Sequence, residues 1–195
     1  MKSDKILYSG GKNDEYRTPI EGVNPILPYI PKGDIVWCPF DKHDSNFVRQ
    51  ISRQNPVVSS HILDGQDFFK YEPPEWNIII SNSPFTKKRL FFERALSFRK
   101  PFALLMAATW LNDSAPQQIF GERLQLAFLP NRIHYMNSKG ITHKKTTFMS
   151  VYFCYDFLPR PIVMLKSSLT NRSGHATIDP VDTTNVVLTE DRCFF

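Results

Sequence analysis

Residues 78–80 are three consecutive isoleucines, and few folds can hide all of them. A half-buried strand alternates apolar with polar residues, because successive side chains face opposite ways. An unbroken β-branched run fits a strand covered on both faces, as in a parallel sheet of the α/β class. The run stops abruptly at Ser81-Asn82-Ser83-Pro84-Phe85. Ligands of open α/β sheets bind outside the carboxyl ends of the strands, so Asn82 to Phe85 are expected at the reactive end. These residues suit a flat base that carries an amino group. The Asn82 side-chain oxygen and the Ser83 backbone carbonyl can each accept a hydrogen bond from one NH2. Pro84 stiffens the turn by fixing its own φ, and Phe85 offers a face for stacking. Two acceptors on one amino group keep electron density on its nitrogen, which can then attack an electrophilic methyl.

The flanking chain supplies the rest of a sheet. Asp34–Pro39 reads as the first buried strand, followed by a polar turn and a helix from Phe47 to Gln54. Strand, turn and helix in that order form the first half of a βαβ unit. Pro56–His61 reads as a second strand, Thr86–Leu96 as a helix and Pro101–Ala108 as a further buried strand. Gln117–Phe120 reads as one helical turn. Arg123–Pro130 and Thr147–Tyr155 read as an antiparallel pair. Their connection, Asn131 to Thr146, is long for a hairpin and basic, and it is expected at the same end as Asn82. Its Arg132, Lys139, Lys144 and Lys145 are candidates for nucleic-acid contact. Lys87, Lys88 and Arg89 are further candidates. They sit in a first helical turn, against the helix dipole, where a phosphate would account for them.

A chain of 195 residues makes one domain, or one domain with a small appendage. The expected division is a flexible lead over 1–15, a domain over 16–160 and a tail or small appendage over 161–195. A net charge of +5 permits attraction to a phosphate backbone but falls far short of ribosomal basicity. No apolar run approaches the ~20 residues of a membrane helix, and the first residues lack the apolar core of a signal peptide. No membrane partner is expected. Cys38, Cys154 and Cys193 are too few and too scattered for a disulfide framework or a CxxC metal site, which points to a reducing, cytoplasmic setting.

Asn82-Ser83-Pro84-Phe85 resembles the Asn-Pro-Pro-Phe/Tyr motif of S-adenosylmethionine-dependent methyltransferases that modify adenine N6. It departs at the second position, Ser for Pro. Related RNA enzymes carry Ile or Leu there, and the carbonyl survives any substitution. Other stretches follow the family's order over roughly residues 14–156. Thr18-Pro19 is similar to a Thr-Pro that lies over the methionine end of the cofactor. Pro39, Asn46 and Phe47 match the family's Asp-Pro-x-x-Gly-x-Gly-Asn-Phe loop with one extra residue between, but the glycines do not match. Cys38-Pro39-Phe40-Asp41 with Ser45-Asn46-Phe47 is similar to a phage-borne branch, whose members would work in the host cytoplasm. Asp67-Phe68 resembles the Asp-Phe motif that follows the family's third strand. There the carboxylate meets the cofactor's adenine and the ring packs on it. His61 or Asp64 stands where active enzymes place an acid on the ribose.

The resemblance implies a class I (Rossmann-like) methyltransferase fold, with a mostly parallel seven-stranded sheet and a terminal antiparallel hairpin. It implies S-adenosyl-L-methionine held by Thr18, Pro19, Cys38, Pro39, Ser45, Asn46, Asp67 and Phe68. Asn82, Ser83, Pro84 and Phe85 would hold a flipped DNA adenine. Two alternatives stay open. The substrate is RNA, or the chain is a catalytically inactive binder of nucleic acid or protein, as the glycine-free loop suggests.

Overall fold

The computed structural model describes residues 17–136 and 148–167. The three isoleucines lie in strand β3 (Ile78–Asn82), fully inside a sheet. β1 (Val36–Cys38) flanks it on one side and β4 (Phe102–Ala107) on the other, both parallel to it. β2 (Val57–Ser59) pairs with the outer edge of β1. Beyond β4 come β6 (Ser150–Tyr155), β5 (Gln125–Phe128) and β7 (Ile162–Met164). Among the described residues the sheet has seven strands, in the order β2-β1-β3-β4-β6-β5-β7. Of these seven, β6 alone runs against the others.

Side-chain alternation splits the core into two layers. Val36, Cys38, Ile78, Ile80, Ala103 and Leu105 point to one face, with Tyr152 and Cys154. Helix α1 (Ile20–Val23), a 3-10 stretch over Asn24–Tyr29 and helix α2 (Asn46–Ile51) cover that face through Val23, Ile26, Phe47 and Ile51. Trp37, Ile79, Phe102, Leu104 and Phe153 point the other way. There they meet helix α3 (Lys88–Ser97) through Phe92 and Ala95, and helix α4 (Ala115–Phe120) through Phe120. This second layer is built of rings. Phe92 packs on Trp110 at 4.6 Å and on Phe153 at 5.6 Å between centroids. The buried Trp37 indole donates to Ser60 Oγ at 2.9 Å, so its polar atom has a partner.

The strands expected from the sequence form where they were expected, trimmed by up to three residues at their ends. The terminal hairpin is β5 with β6. Two features differ from the expectation. No strand lies between Ser59 and Ile78, where the family pattern puts a third one; that stretch carries a 3-10 turn over Ile62–Asp64. The seventh strand is instead β7, parallel to β5, in the segment assigned to a tail. The sheet therefore extends past residue 160.

A buried hydrogen bond adds to the packing of the N-terminal elements on the sheet. The Tyr152 hydroxyl donates to the Gly22 carbonyl at 2.7 Å. Gly22 must be bare of side chain, since a Cβ there would stand 2.9 Å from Thr18 Cγ2 and 3.1 Å from Ile133 Cδ1. Tyr152→Phe strands a buried carbonyl and is expected to cost about 1–3 kcal/mol. Urea unfolding of the two proteins checks this, and an unchanged midpoint would show that the bond contributes nothing.

Candidate functional site

The chain leaves β1 towards β2 on one side and returns to β3 on the other. The strand order therefore reverses between β1 and β3, and that is where doubly wound sheets hold ligands. A cavity of 580 Å³ opens there, between the β1–α2 loop and the β3–α3 turn. Ligand sites usually span about 300–1,000 Å³. Asn82, Ser83, Pro84 and Phe85 all line it.

Each of these four is fixed by the sheet. Asn82 is the last residue of β3 and pairs with Leu105. Its Oδ1 is buried and has no hydrogen-bond partner among the described residues. A buried acceptor left unmatched costs about 1–3 kcal/mol, so a native protein that keeps one invites a functional reason. The Ser83 N–H donates to the Leu105 carbonyl at 3.2 Å, which sets the direction of the turn. Phe85 is half-buried, and its ring meets Tyr135 and Phe148 edge-on at 6.3 and 5.7 Å. Those two rings belong to the described ends of the β5–β6 connection, and these ends lie at the same end of the sheet as Asn82. The connection's residues 137–147, with Lys139, Lys144 and Lys145, lie outside the described residues.

The opposite wall is aromatic. Phe40, Phe68, Phe69 and Phe91 line the cavity together. Phe69 stacks on Phe91 at 4.8 Å with 24° between planes, and Phe40 lies 5.0 Å from Phe68. Of the expected cofactor residues, Thr18, Pro39, Ser45, Asn46, Asp67 and Phe68 line the cavity. Several are also held by structural bonds. Asn46 Nδ2 donates to the Thr18 carbonyl at 2.9 Å, and Ser45 caps α2 by accepting from the Val48 N–H. One Asp67 oxygen accepts the Phe69 N–H at 3.0 Å, in an Asx turn. His61 reaches the cavity and Asp64 does not. Cys38 and Pro19, also expected at the cofactor, are buried and are not among the residues that line the cavity. Cys38 shares the face of Val36, in the core layer, and burial pushes its thiol well above the ordinary value.

The sequence reading passed over Asp41. Its carboxylate lines the cavity and accepts hydrogen bonds from the Ser81 and Ser45 hydroxyls. Burial raises it from 3.8 to about 6, against the opposing pull of the two hydroxyls. No composition or spacing signal marks such a residue, because its partner on β3 is forty positions away. Nearby Asp44 behaves in the opposite way. Desolvation pushes it up, but Arg17 at 2.8 Å outweighs that, and its carboxyl falls below the ordinary value. Arg17 also bridges to Met136 through its backbone. The N-terminal segment, the β1–α2 loop and the β5–β6 connection therefore meet at one residue beside the cavity.

The basic residues at the start of α3 have different surroundings. Lys88 pairs with Asp113 at 3.0 Å, and Arg89 pairs with Glu93 at 2.7 Å and with Gln118 at 2.9 Å. These are exposed or half-exposed pairs, and they leave phosphate contact at Lys88 and Arg89 an expectation. Lys87 alone of the three lines the cavity, at the turn into α3 and with φ of 56°. Arg132 does not line it.

Fold and site together define an α/β protein with a mostly parallel, mixed seven-stranded sheet and a ligand-sized cavity at its switch point. No helix among the described residues is long and apolar enough to cross a membrane. The chain matches no protein-family model and no curated protein sequence.

Proposed function

We propose that this chain is a class I methyltransferase that moves a methyl group from S-adenosyl-L-methionine to adenine N6 in DNA. One observation carries the reading: the unmatched Asn82 Oδ1, at the wall of the switch-point cavity, beside the Ser83 carbonyl and the Phe85 ring. An extruded base with an exocyclic amino group is the ligand that would satisfy that oxygen. Flipping it out of the duplex costs a few kcal/mol, which stacking on Phe85 offsets in part.

The cavity also suits the donor. Phe40, Phe68 and Phe69 would hold a purine ring on the aromatic wall, with the second Asp67 oxygen open to its amino group. Thr18 and Pro39 would border the amino-acid end. The donor, when bound, supplies an electrophilic methyl. The chain's own part is to align the amino nitrogen and to exclude water, so catalysis rests on positioning and electrostatics rather than a strong base.

The test is transfer of label from methyl-labelled S-adenosylmethionine to adenine-containing DNA and RNA, alongside calorimetric titration of the cofactor. Micromolar cofactor binding with label in DNA N6-methyladenine is the expected result. Label in RNA alone would move the substrate to RNA. No binding at millimolar cofactor would favour a non-catalytic binder, which the glycine-free loop after β1 also supports, since glycine lets backbone approach a ligand closely.

A further inference from the structure

A buried carboxylate with no cation opposite it is expensive and rare. Asp41 is such a group. Its two described hydrogen-bond partners are neutral hydroxyls, and no described cationic side chain pairs with it. Asp44 beside it has Arg17, whereas Asp41 has no such partner among the described residues. The buried groups that sense its charge are Cys38 and Tyr152, both neutral. Lys42, Lys87 and His61 border the same cavity, as does the acidic Asp67. Ser81 and Ser45 hold the carboxylate from β3 and from the cap of α2, so it cannot swing out to solvent without breaking both bonds.

We propose that Asp41 is a ligand-binding residue whose missing counter-charge is an organic cation brought into the cavity by the donor. This rests on the donor being S-adenosylmethionine, which carries two cationic centres, an ammonium and a sulfonium. The ammonium is kept by the demethylated product, S-adenosylhomocysteine, and the sulfonium is not. A cation at Asp41 favours the ionised carboxylate, so binding below about pH 6 must first expel a proton. Affinity is therefore lost as pH falls through that value.

Calorimetric titration of wild type and Asp41→Asn, with donor and with S-adenosylhomocysteine, at about pH 7.5 and about pH 5, tests this. Asn keeps an acceptor for the two hydroxyls, and thermal unfolding of the variant establishes that it is folded. Wild-type affinity for the donor is expected to fall roughly tenfold at the lower pH. Asp41→Asn is expected to bind it roughly tenfold or more weakly at the higher pH, with the slope flattened. Weakening towards both compounds assigns the ammonium; weakening towards the donor alone assigns the sulfonium. A variant that binds like wild type, or keeps the full slope because His61 supplies it, overturns the assignment and leaves the cofactor reading intact. Failure of wild type to bind either compound at millimolar concentration removes both.

Discussion

Asn82→Ala is expected to lower methyl transfer by about two to three powers of ten, the size usual for removing one preorganised hydrogen-bonding group from an active site. The loss should fall on kcat more than on cofactor affinity, because the amide is assigned to the acceptor base and not to the donor. Stability should move the other way or stay unchanged. Asn82 Oδ1 has no partner to lose among the described residues, so its removal relieves a burial penalty. Asn82→Asp retains acceptor oxygens and should keep more activity than Ala. Rate measurements on the three proteins, with melting temperatures alongside, settle the point. Equal transfer by wild type and Asn82→Ala would end the catalytic assignment. A sharp drop in melting temperature would mean that the side chain is structural.

The second large effect is on folding. Asp41 is raised from 3.8 to about 6 in the folded chain, first by desolvation. The folded state thus holds the proton more tightly than the unfolded one, and stability falls as pH rises from about 4 to about 6. Above that the loss is complete, and a shift of this size corresponds to about 3 kcal/mol. Asp41→Asn removes the charge and should be more stable by up to about that amount at neutral pH. The gap should close below about pH 4. Denaturant unfolding of both proteins across the pH range checks the sign as well as the size. Identical stability at neutral pH, or a gap that widens in acid, would contradict the assigned environment. A cationic ligand on Asp41 would offset the same penalty, so the variant's gain should shrink when the ligand is present.

Much of the architecture was readable from the order of the residues, because burial on two faces leaves a plain mark. The Ile78–Ile80 run and the apolar stretch at 102–107 could only be inner strands, and both are buried throughout. Asn82 to Phe85 followed from where such a strand must end. β7 left no comparable mark. Only Val163 is buried, while Ile162 and Met164 are 58% and 69% exposed, so three apolar residues carry one inward position. The burial of Cys38 left no local mark either. The residue lies at the right strand end, but pleat parity turns it to the same face as Val36. Asp41 and the partners of Lys88 and Arg89 depend on contacts across the fold, with Ser81, Asp113 and Gln118. No local pattern announces such pairs.

β7 also bears on how far the polypeptide can be shortened. It protects the outer side of β5, pairing Leu126 with Ile162 and Phe128 with Met164, and it delivers Val163 and Leu165 to the interior. A product trimmed at residue 160 would leave β5 with a bare row of amide and carbonyl groups, a surface that recruits other chains. Such a fragment should self-associate even though every residue around the cavity is still there, and the smallest well-behaved unit therefore runs at least to Leu165.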